Sequence, residues 1–231
     1  YLPYSPFISK EAADKLKNYV KRGGTLVAEG SAAQYDDTLG AATVVPCNGL
    51  EELFGCRRDD VRTTTPKIIG KLNIDGFSVG TYMHKETLIP CGGEVIGRFE
   101  SGEPAVVENK YGDGRAIYIG TNPFMGYCEN ADPELSKWVG QINKDVVPHA
   151  YTNVPEVLSR VLVNGSKKLV FLMNISDKPT DVAVTVSLNS GSKCKVHELI
   201  DGDTVQAVVS EDKLLINQKL GPYGTKVYCC E

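Results

Sequence analysis

The sequence predicts an α/β domain followed by a small antiparallel β-sandwich. From Ser9 to about Pro148, helical segments alternate with strand-like runs. Beyond about Tyr151 the helical period disappears, and short apolar runs recur between turn signals. The change of period falls near Pro148 to Pro155, which gives domains of residues 1–150 and 151–231. At 231 residues, 42% hydrophobic and 23% charged, the chain is long enough for two modest cores.

Ser9 stands where it can N-cap a helix with Glu11 in its first turn, and Ala12, Leu16, Tyr19 and Val20 recur at three- and four-residue spacing. Lys21 and Arg22 suit the negative end of that helix, Gly23 or Gly24 its left-handed stop, and Thr25 to Ala28 a buried strand. Direction decides what these glycines do. A phosphate loop leads from a strand into a helix N-terminus, whereas Gly23-Gly24 leads out of a helix into a strand, so the pair reads as punctuation.

Asn48 to Gly55 carries a cap residue, Glu51 three positions on and a closing glycine, the pattern of a short helix. Strand-like runs follow at Ile68 to Ile74, Glu94 to Phe99, Ala105 to Asn109 and Arg115 to Ile119, the last two flanking a Lys-Tyr-Gly-Asp-Gly hairpin. Gly112-Asp-Gly114 imitates half of a dinucleotide fingerprint, but a strand and not a helix continues from it. A second helix starts at Asp132, with Pro133 and Glu134 in its first turn and Leu135, Trp138, Val139, Ile142 and Val146 on one face.

In the second half, seven strands are expected: Val157 to Val163, Leu169 to Ile175, Val182 to Leu188, Cys194 to Leu199, Val205 to Val209, Leu214 to Asn217 and Thr225 to Cys229. Asp177-Lys-Pro, Asn189-Ser-Gly and Asp201-Gly-Asp supply turns between them. Val182, Val184, Val186 and Leu188 alternate with Ala183, Thr185 and Ser187, the two-residue period of a half-buried strand.

The net charge of −4 and a pI near 5.5, with scattered lysines, give no basic patch and argue against a nucleic-acid partner. No run approaches the roughly 18 apolar residues of a membrane span, and no signal peptide is visible, so no membrane partner is expected. Seven cysteines, with no CxxC pair and with Cys229 and Cys230 adjacent, fit reduced thiols and a cytoplasmic setting. The Asn164 and Asn174 sequons would matter only outside the cytoplasm. The opening Tyr1-Leu2-Pro3, without methionine and directly ahead of a helix, reads as part of a longer protein.

Among candidates for chemistry, Cys47 follows an apolar run and precedes a helix, where a nucleophile elbow would hold a thiol of lowered pKa. With His84 and Glu86 it can be written as a Cys-His-Glu set. The fit is poor, because Val45-Pro46 precedes Cys47 where an elbow needs a small residue and backbone freedom. The acidic sets Asp201, Asp203 and Glu211, Asp212 lack calcium-loop spacing, and His84, His149 and His197 lack metal-ligand spacing. Nor does any pair of acids stand out for glycoside chemistry. No catalytic, cofactor-binding or metal-ligating residue is assigned, and no cofactor is expected.

Three stretches carry a resemblance: Tyr19-Val-Lys-Arg-Gly-Gly-Thr-Leu-Val27, Pro46-Cys-Asn-Gly-Leu-Glu-Glu-Leu-Phe-Gly55, and Gly102 to Thr121 with its Asn-Lys-Tyr-Gly-Asp-Gly-Arg core. With these the chain resembles the middle region of the β-galactosidases of glycoside hydrolase family 42. The second half resembles that family's tail through Val157 to Val163, Lys168 to Asn174 and the closing Leu220-Gly-Pro-Tyr-Gly-Thr-Lys-Val227. The stretch from Arg58 to Glu94 matches only loosely. The resemblance implies a flavodoxin-like domain, related to class I glutamine amidotransferases and serving trimerisation, between a catalytic TIM barrel and a small β-sandwich. It implies a homo-oligomer, a trimer, and galactoside substrates for the parent enzyme. The family's acid/base and nucleophile glutamates lie in the barrel, so neither transfers to any residue here. Two other readings stand beside it: a carbohydrate-binding or interaction module using Tyr151, Tyr223 or Tyr228, and a thiol hydrolase using Cys47 with His84.

Overall fold

The computed structural model describes residues 1–146, 148–188 and 194–231. These divide into two compact units, Tyr1–Asn143 and Lys144–Glu231. The expected turn at Asn189-Ser-Gly lies outside the described residues.

The first unit opens with helix α1 (Lys10–Lys21), which Ser9 caps by accepting the Ala12 N–H at 3.2 Å. Gly23, at φ +99°, ends it by donating to the Val20 carbonyl at 2.9 Å, and strand β1 (Thr25–Glu29) follows. Helix α2 (Leu50–Phe54) forms between Gly49 and Gly55, but the expected Asn48 cap is absent. The Asn48 amide instead donates to the Ile8 carbonyl at 2.8 Å, which ties the helix entry to the segment before α1.

Four strands follow, β2 (Cys56–Ile74), β3 (Phe77–Pro90), β4 (Glu94–Phe99) and β5 (Pro104–Tyr111), with β4 pairing on β2 and not on β3, and β6 (Gly114–Ile119) comes next across a two-residue Gly112-Asp113 turn. Helices α3 (Pro123–Tyr127) and α4 (Pro133–Ile142) complete the unit. Asp132 caps α4 through the Glu134 N–H at 2.9 Å. That helix buries Leu135 and Trp138 and stops at Ile142, so Val146 is exposed beyond its end and off the predicted face.

This unit is not the flavodoxin-like α/β domain expected from the sequence. Its six-stranded sheet has the order β1-β6-β5-β4-β2-β3, and only β1 and β6 are parallel. Every other neighbouring pair is antiparallel. The physical reason lies in residues 56–90: a doubly wound parallel sheet needs a crossover helix between successive strands, and this stretch forms one long β-hairpin turning at Asp75-Gly76. Strand, not helix, dominates the unit.

Side-chain alternation splits the core into two layers. Leu26, Ala28, Ala116 and Tyr118 face Val20, Leu50, Leu53 and Phe54 of α1 and α2. Val27, Ile117 and Ile119 face Leu135 and Trp138 of α4. The Trp138 indole N–H reaches the Asp75 carboxylate at 3.1 Å, so α4 also pins the β2–β3 turn. The two glycine motifs meet at the end of α1. Asp113 N–H donates to the Lys21 carbonyl at 3.1 Å and Arg115 N–H to the Gly24 carbonyl at 3.2 Å, while a Cβ on Gly114 would collide with the Val20 and Gly24 carbonyls. The Gly112-Asp-Gly114 pattern is thus explained by backbone closing on a helix end.

The second unit is a sandwich of two four-stranded sheets. Its strands are β7 (Ala150–Thr152), β8 (Val157–Asn164), β9 (Lys167–Asn174), β10 (Thr180–Ser187), β11 (Val196–Glu198), β12 (Ala207–Ser210), β13 (Lys213–Leu220) and β14 (Thr225–Cys230). The sheets have the orders β12-β13-β10-β7 and β11-β14-β9-β8, all antiparallel. Strand β7 joins the seven runs visible in the sequence. Val182, Val184 and Val186 are buried among Leu172, Leu214, Ile216 and Tyr228, while Ala183 and Thr185 turn outward.

Two glycines give opposite expectations. Gly114→Ala forces a methyl group into main-chain atoms and is expected to cost about 1–3 kcal/mol. Gly140, in α4 with open space around its α-carbon, is expected to gain about 1 kcal/mol as Ala. Urea midpoints of the two variants check both signs.

Candidate functional site

The densest buried polar chemistry in the first unit lies where β3 crosses the carboxyl ends of β1 and β6. Glu86 N–H donates to the Gly120 carbonyl at 2.7 Å, and Tyr82 N–H to the Thr121 hydroxyl at 2.9 Å. A Cβ at Gly120 would meet the Glu86 carbonyl, so a glycine is needed where the strands touch. Glu86 itself is fully buried. It accepts from Ser31 N–H at 2.9 Å, the Tyr118 hydroxyl at 2.8 Å and the Arg58 guanidinium at 3.4 Å. Burial first, and then the Glu86 carboxylate, raise the Tyr118 phenol well above its ordinary range.

Glu29, at the end of β1, is the second buried carboxyl. It accepts Tyr4 N–H at 3.0 Å and Phe124 N–H at 2.8 Å, one on each oxygen. Burial raises its pKa from 4.5 to about 7, with those two bonds opposing the shift. His84 stacks on Tyr4, with centroids 6.1 Å apart, and pairs its Nδ1 with the Thr63 hydroxyl at 2.9 Å. Burial lowers its pKa, Glu86 opposing and Arg58 reinforcing. Among the described residues, His84 Nε2 and Asn122 Oδ1 are buried without a partner.

The candidate nucleophile does not join this cluster through any hydrogen bond. Cys47 donates to the Tyr35 carbonyl at 3.4 Å and packs with the α1–α2 core. Burial raises its thiol pKa, and the charges of Asp36, Asp37 and Glu51 push the same way, the reverse of what activates a nucleophile. His84 bonds Thr63, and Glu86 bonds Ser31, Tyr118 and Arg58; among the described residues none of the three bonds another. The arrangement can brace strands and hold one carboxyl near neutrality. The position of Ser31 and Tyr118 as Glu86 partners carried no sequence signal, since they are separated from it by 55 and 32 residues.

In the second unit, Glu198, Asp201 and Asp203 bring carboxylates within 4.8 Å of one another. The Lys226 ammonium sits among them, 2.6 Å from Asp201, 2.6 Å from Asp203 and 3.9 Å from Glu198. Burial raises the Glu198 pKa, but three backbone N–H bonds from Ile200, Asp201 and Gly202, with Lys226, bring it down to about 2. A lysine fills the place a cation would take. Of the three tyrosines that could stack on a sugar, Tyr228 is fully buried and donates to Gln218, whereas Tyr151 and Tyr223 are exposed.

Comparison with known proteins fixes the family. Residues 1–147 match the β-galactosidase trimerisation domain. The chain belongs to that family. The chain is 24% identical over 183 residues to β-galactosidase LacZ of Heyndrickxia coagulans, covering 77% of this chain and 26% of that protein. Its fold matches a family 42 β-galactosidase, Gan42B of G. stearothermophilus, with a TM-score of 0.69 and 22% identity over 98% of this chain and 31% of the other. A β-galactosidase from Bacillus circulans sp. alkalophilus matches at 0.72 and 16%, covering 99% and 32%. An α-L-fucosidase from Paenibacillus thiaminolyticus matches at 0.66 and 16%, covering 100% and 40%. The chain therefore spans about a quarter to two-fifths of these relatives. Among the described residues no helix is long and apolar enough to cross a membrane.

Two outcomes test the chemistry of these sites. Because the folded Glu29 carboxyl binds its proton more tightly than the unfolded one, its stabilising share is complete below pH 4.5 and is lost as pH rises through about 7. The loss amounts to about 3 kcal/mol. Unfolding midpoints between pH 5 and 8 should fall in the native chain and fall less in Glu29→Gln. At neutral pH, iodoacetamide should label Cys47 more slowly than the exposed Cys91 and Cys128, as read by peptide mass spectrometry. Faster labelling would restore the thiol-hydrolase reading.

Proposed function

We infer that this chain is a non-catalytic assembly segment of a longer β-galactosidase-like glycoside hydrolase. The single observation behind the reading is the family match of residues 1–147, joined to a polar cluster whose carboxyls serve as hydrogen-bond acceptors within the fold. In this reading residues 1–150 dock against further copies of the chain, giving a trimer, and residues 151–231 form the accompanying sandwich. Galactosides are substrates of the parent enzyme, whose reacting glutamates belong to a barrel outside these 231 residues. Assembly of the first domain also shapes the approach to that barrel's active site. Seven free cysteines suit a cytoplasmic enzyme, and the acidic composition suits a protein without nucleic-acid partners.

The docking face in this reading is the apolar depression of about 550 Å³ beside α1, lined by Leu2, Phe7, Ile8, Ala12 and Leu16. Its occupant is a second copy, since a closed trimer of a trimerisation family is built from a head-to-tail, ring-forming contact. Phe7 is nearly half exposed there and contributes apolar area that a partner would cover. Light scattering coupled to size exclusion should give three times the 25.1 kDa chain mass. Phe7→Asp should shift the mass to one chain while leaving the circular dichroism unchanged. A native chain that stays monomeric at tens of micromolar would contradict the assembly role.

A further inference from the structure

The outward face of the sheet β7-β10-β13 holds a polar depression. Ala183 sits at its centre, on the middle strand, opposite Asn217 on one neighbour and hydrogen-bonded to Asn153 beyond the end of β7 on the other. One step along, Asp181 stands directly opposite Lys219. A short side chain ringed by four long polar ones leaves a hollow of about 370 Å³, lined by Asn153, Asp181, Ala183, Asn217 and Lys219. That volume lies in the range of roughly 300–1,000 Å³ typical of small-molecule sites.

The polar groups around the hollow are uncommitted. Among the described residues, Asp181 and Lys219 make no ion pair although they face each other in register, and the Asn217 amide has no hydrogen-bond partner within the chain. Asn153 accepts the Ala183 N–H through its Oδ1 at 2.8 Å, which fixes the side chain and leaves its amide hydrogens for a ligand. Two residues before Asn153 on the same face, Tyr151 pairs with Thr185 and leaves 46% of its surface exposed. The face thus combines one carboxylate, one ammonium, two amides and one flat aromatic ring.

We propose that this face binds a neutral saccharide, with Tyr151 stacking on the C–H side of a pyranose ring and Asn153, Asp181, Asn217 and Lys219 taking its hydroxyls. The chemistry selects that class. Each hydroxyl both donates and accepts, so a mixed set of acceptor-only, donor-only and amide groups matches vicinal hydroxyls, and aromatic rings cover the apolar side of a sugar. The charges of Asp181 and Lys219 cancel, so the hollow has no net attraction for a phosphate backbone or an acidic polymer. The surface is shallow and exposed, which suits weak, reversible contact with a chain of sugars near an enzyme that acts on them. This site is independent of the assembly face.

Isothermal titration of the 231-residue protein with lactose, β-1,4-galactobiose and maltose tests the proposal, with oligomer mass measured on the same samples so that the two readings fail separately. Saturable binding in the millimolar range is expected for at least one sugar. Asn217→Ala should weaken it about fivefold, the worth of one hydrogen bond, and Tyr151→Ala by roughly three- to tenfold. Tyr223→Ala, which removes an exposed tyrosine elsewhere in the same unit, should leave it unchanged. Thermal midpoints of all variants near that of the native chain exclude misfolding. No heat with any of the three sugars overturns the proposal, as does equal binding by a Tyr151→Ala/Asn217→Ala double variant.

Discussion

The first unit depends on one constraint: a carboxylate taken fully out of water must find its hydrogen bonds inside the protein. Glu86 meets it with Ser31 after β1, Tyr118 on β6 and Arg58 on β2, so one side chain ties three strands, counting its own, and the segment that follows β1. An unpaired buried polar group costs about 1–3 kcal/mol, and a charged one more, so these partners hold each other in place. The approach of β3 to Gly120 is the backbone side of the same junction. Helices α1 and α2 then pack on one face of the sheet and α4 on the other.

The junction also leaves Cys47 without an activating partner among His84 and Glu86. A nucleophile needs an adjacent base and a field that favours its ionised form. Cys47 has a carbonyl for a partner and acidic neighbours, while His84 and Glu86 are engaged with hydroxyls, a backbone amide and a guanidinium. The same logic governs the second unit, where Lys226 neutralises a carboxylate cluster that spacing alone had set aside. At Glu86 and at Lys226 the gathered charges are satisfied by partners within the fold.

Much of the local structure was legible in the residues. Ser9, Gly23 and Asp132 act as the cap, stop and cap that their types suggest, and the valine alternation of β10 sets its buried face. The flavodoxin-like expectation fails because it rests on the resemblance and on helix–strand alternation, while between Cys56 and Pro90 only Ile68 to Ile74 reads as strand. Residues 56–90 hid their nature for two physical reasons. The Arg57 to Lys67 part of β2 is mostly exposed and carries charges and threonines without apolar alternation, and β3 buries Thr81, His84 and Glu86 where a hydrophobic pattern would place apolar residues. Asn48 misled as a cap because a tertiary partner, the Ile8 carbonyl, claimed its amide. The polar hollow on the second unit was invisible for a similar reason: Asn153, Asp181 and Asn217 become neighbours only through strand register.

The central claim is that these 231 residues support an assembly and break no bond. Incubating the purified chain with a nitrophenyl β-galactoside tests it most directly. The account predicts release of nitrophenol no faster than in buffer alone. Turnover by the chain, abolished by substituting Glu29, Cys47 or Glu86, would contradict it.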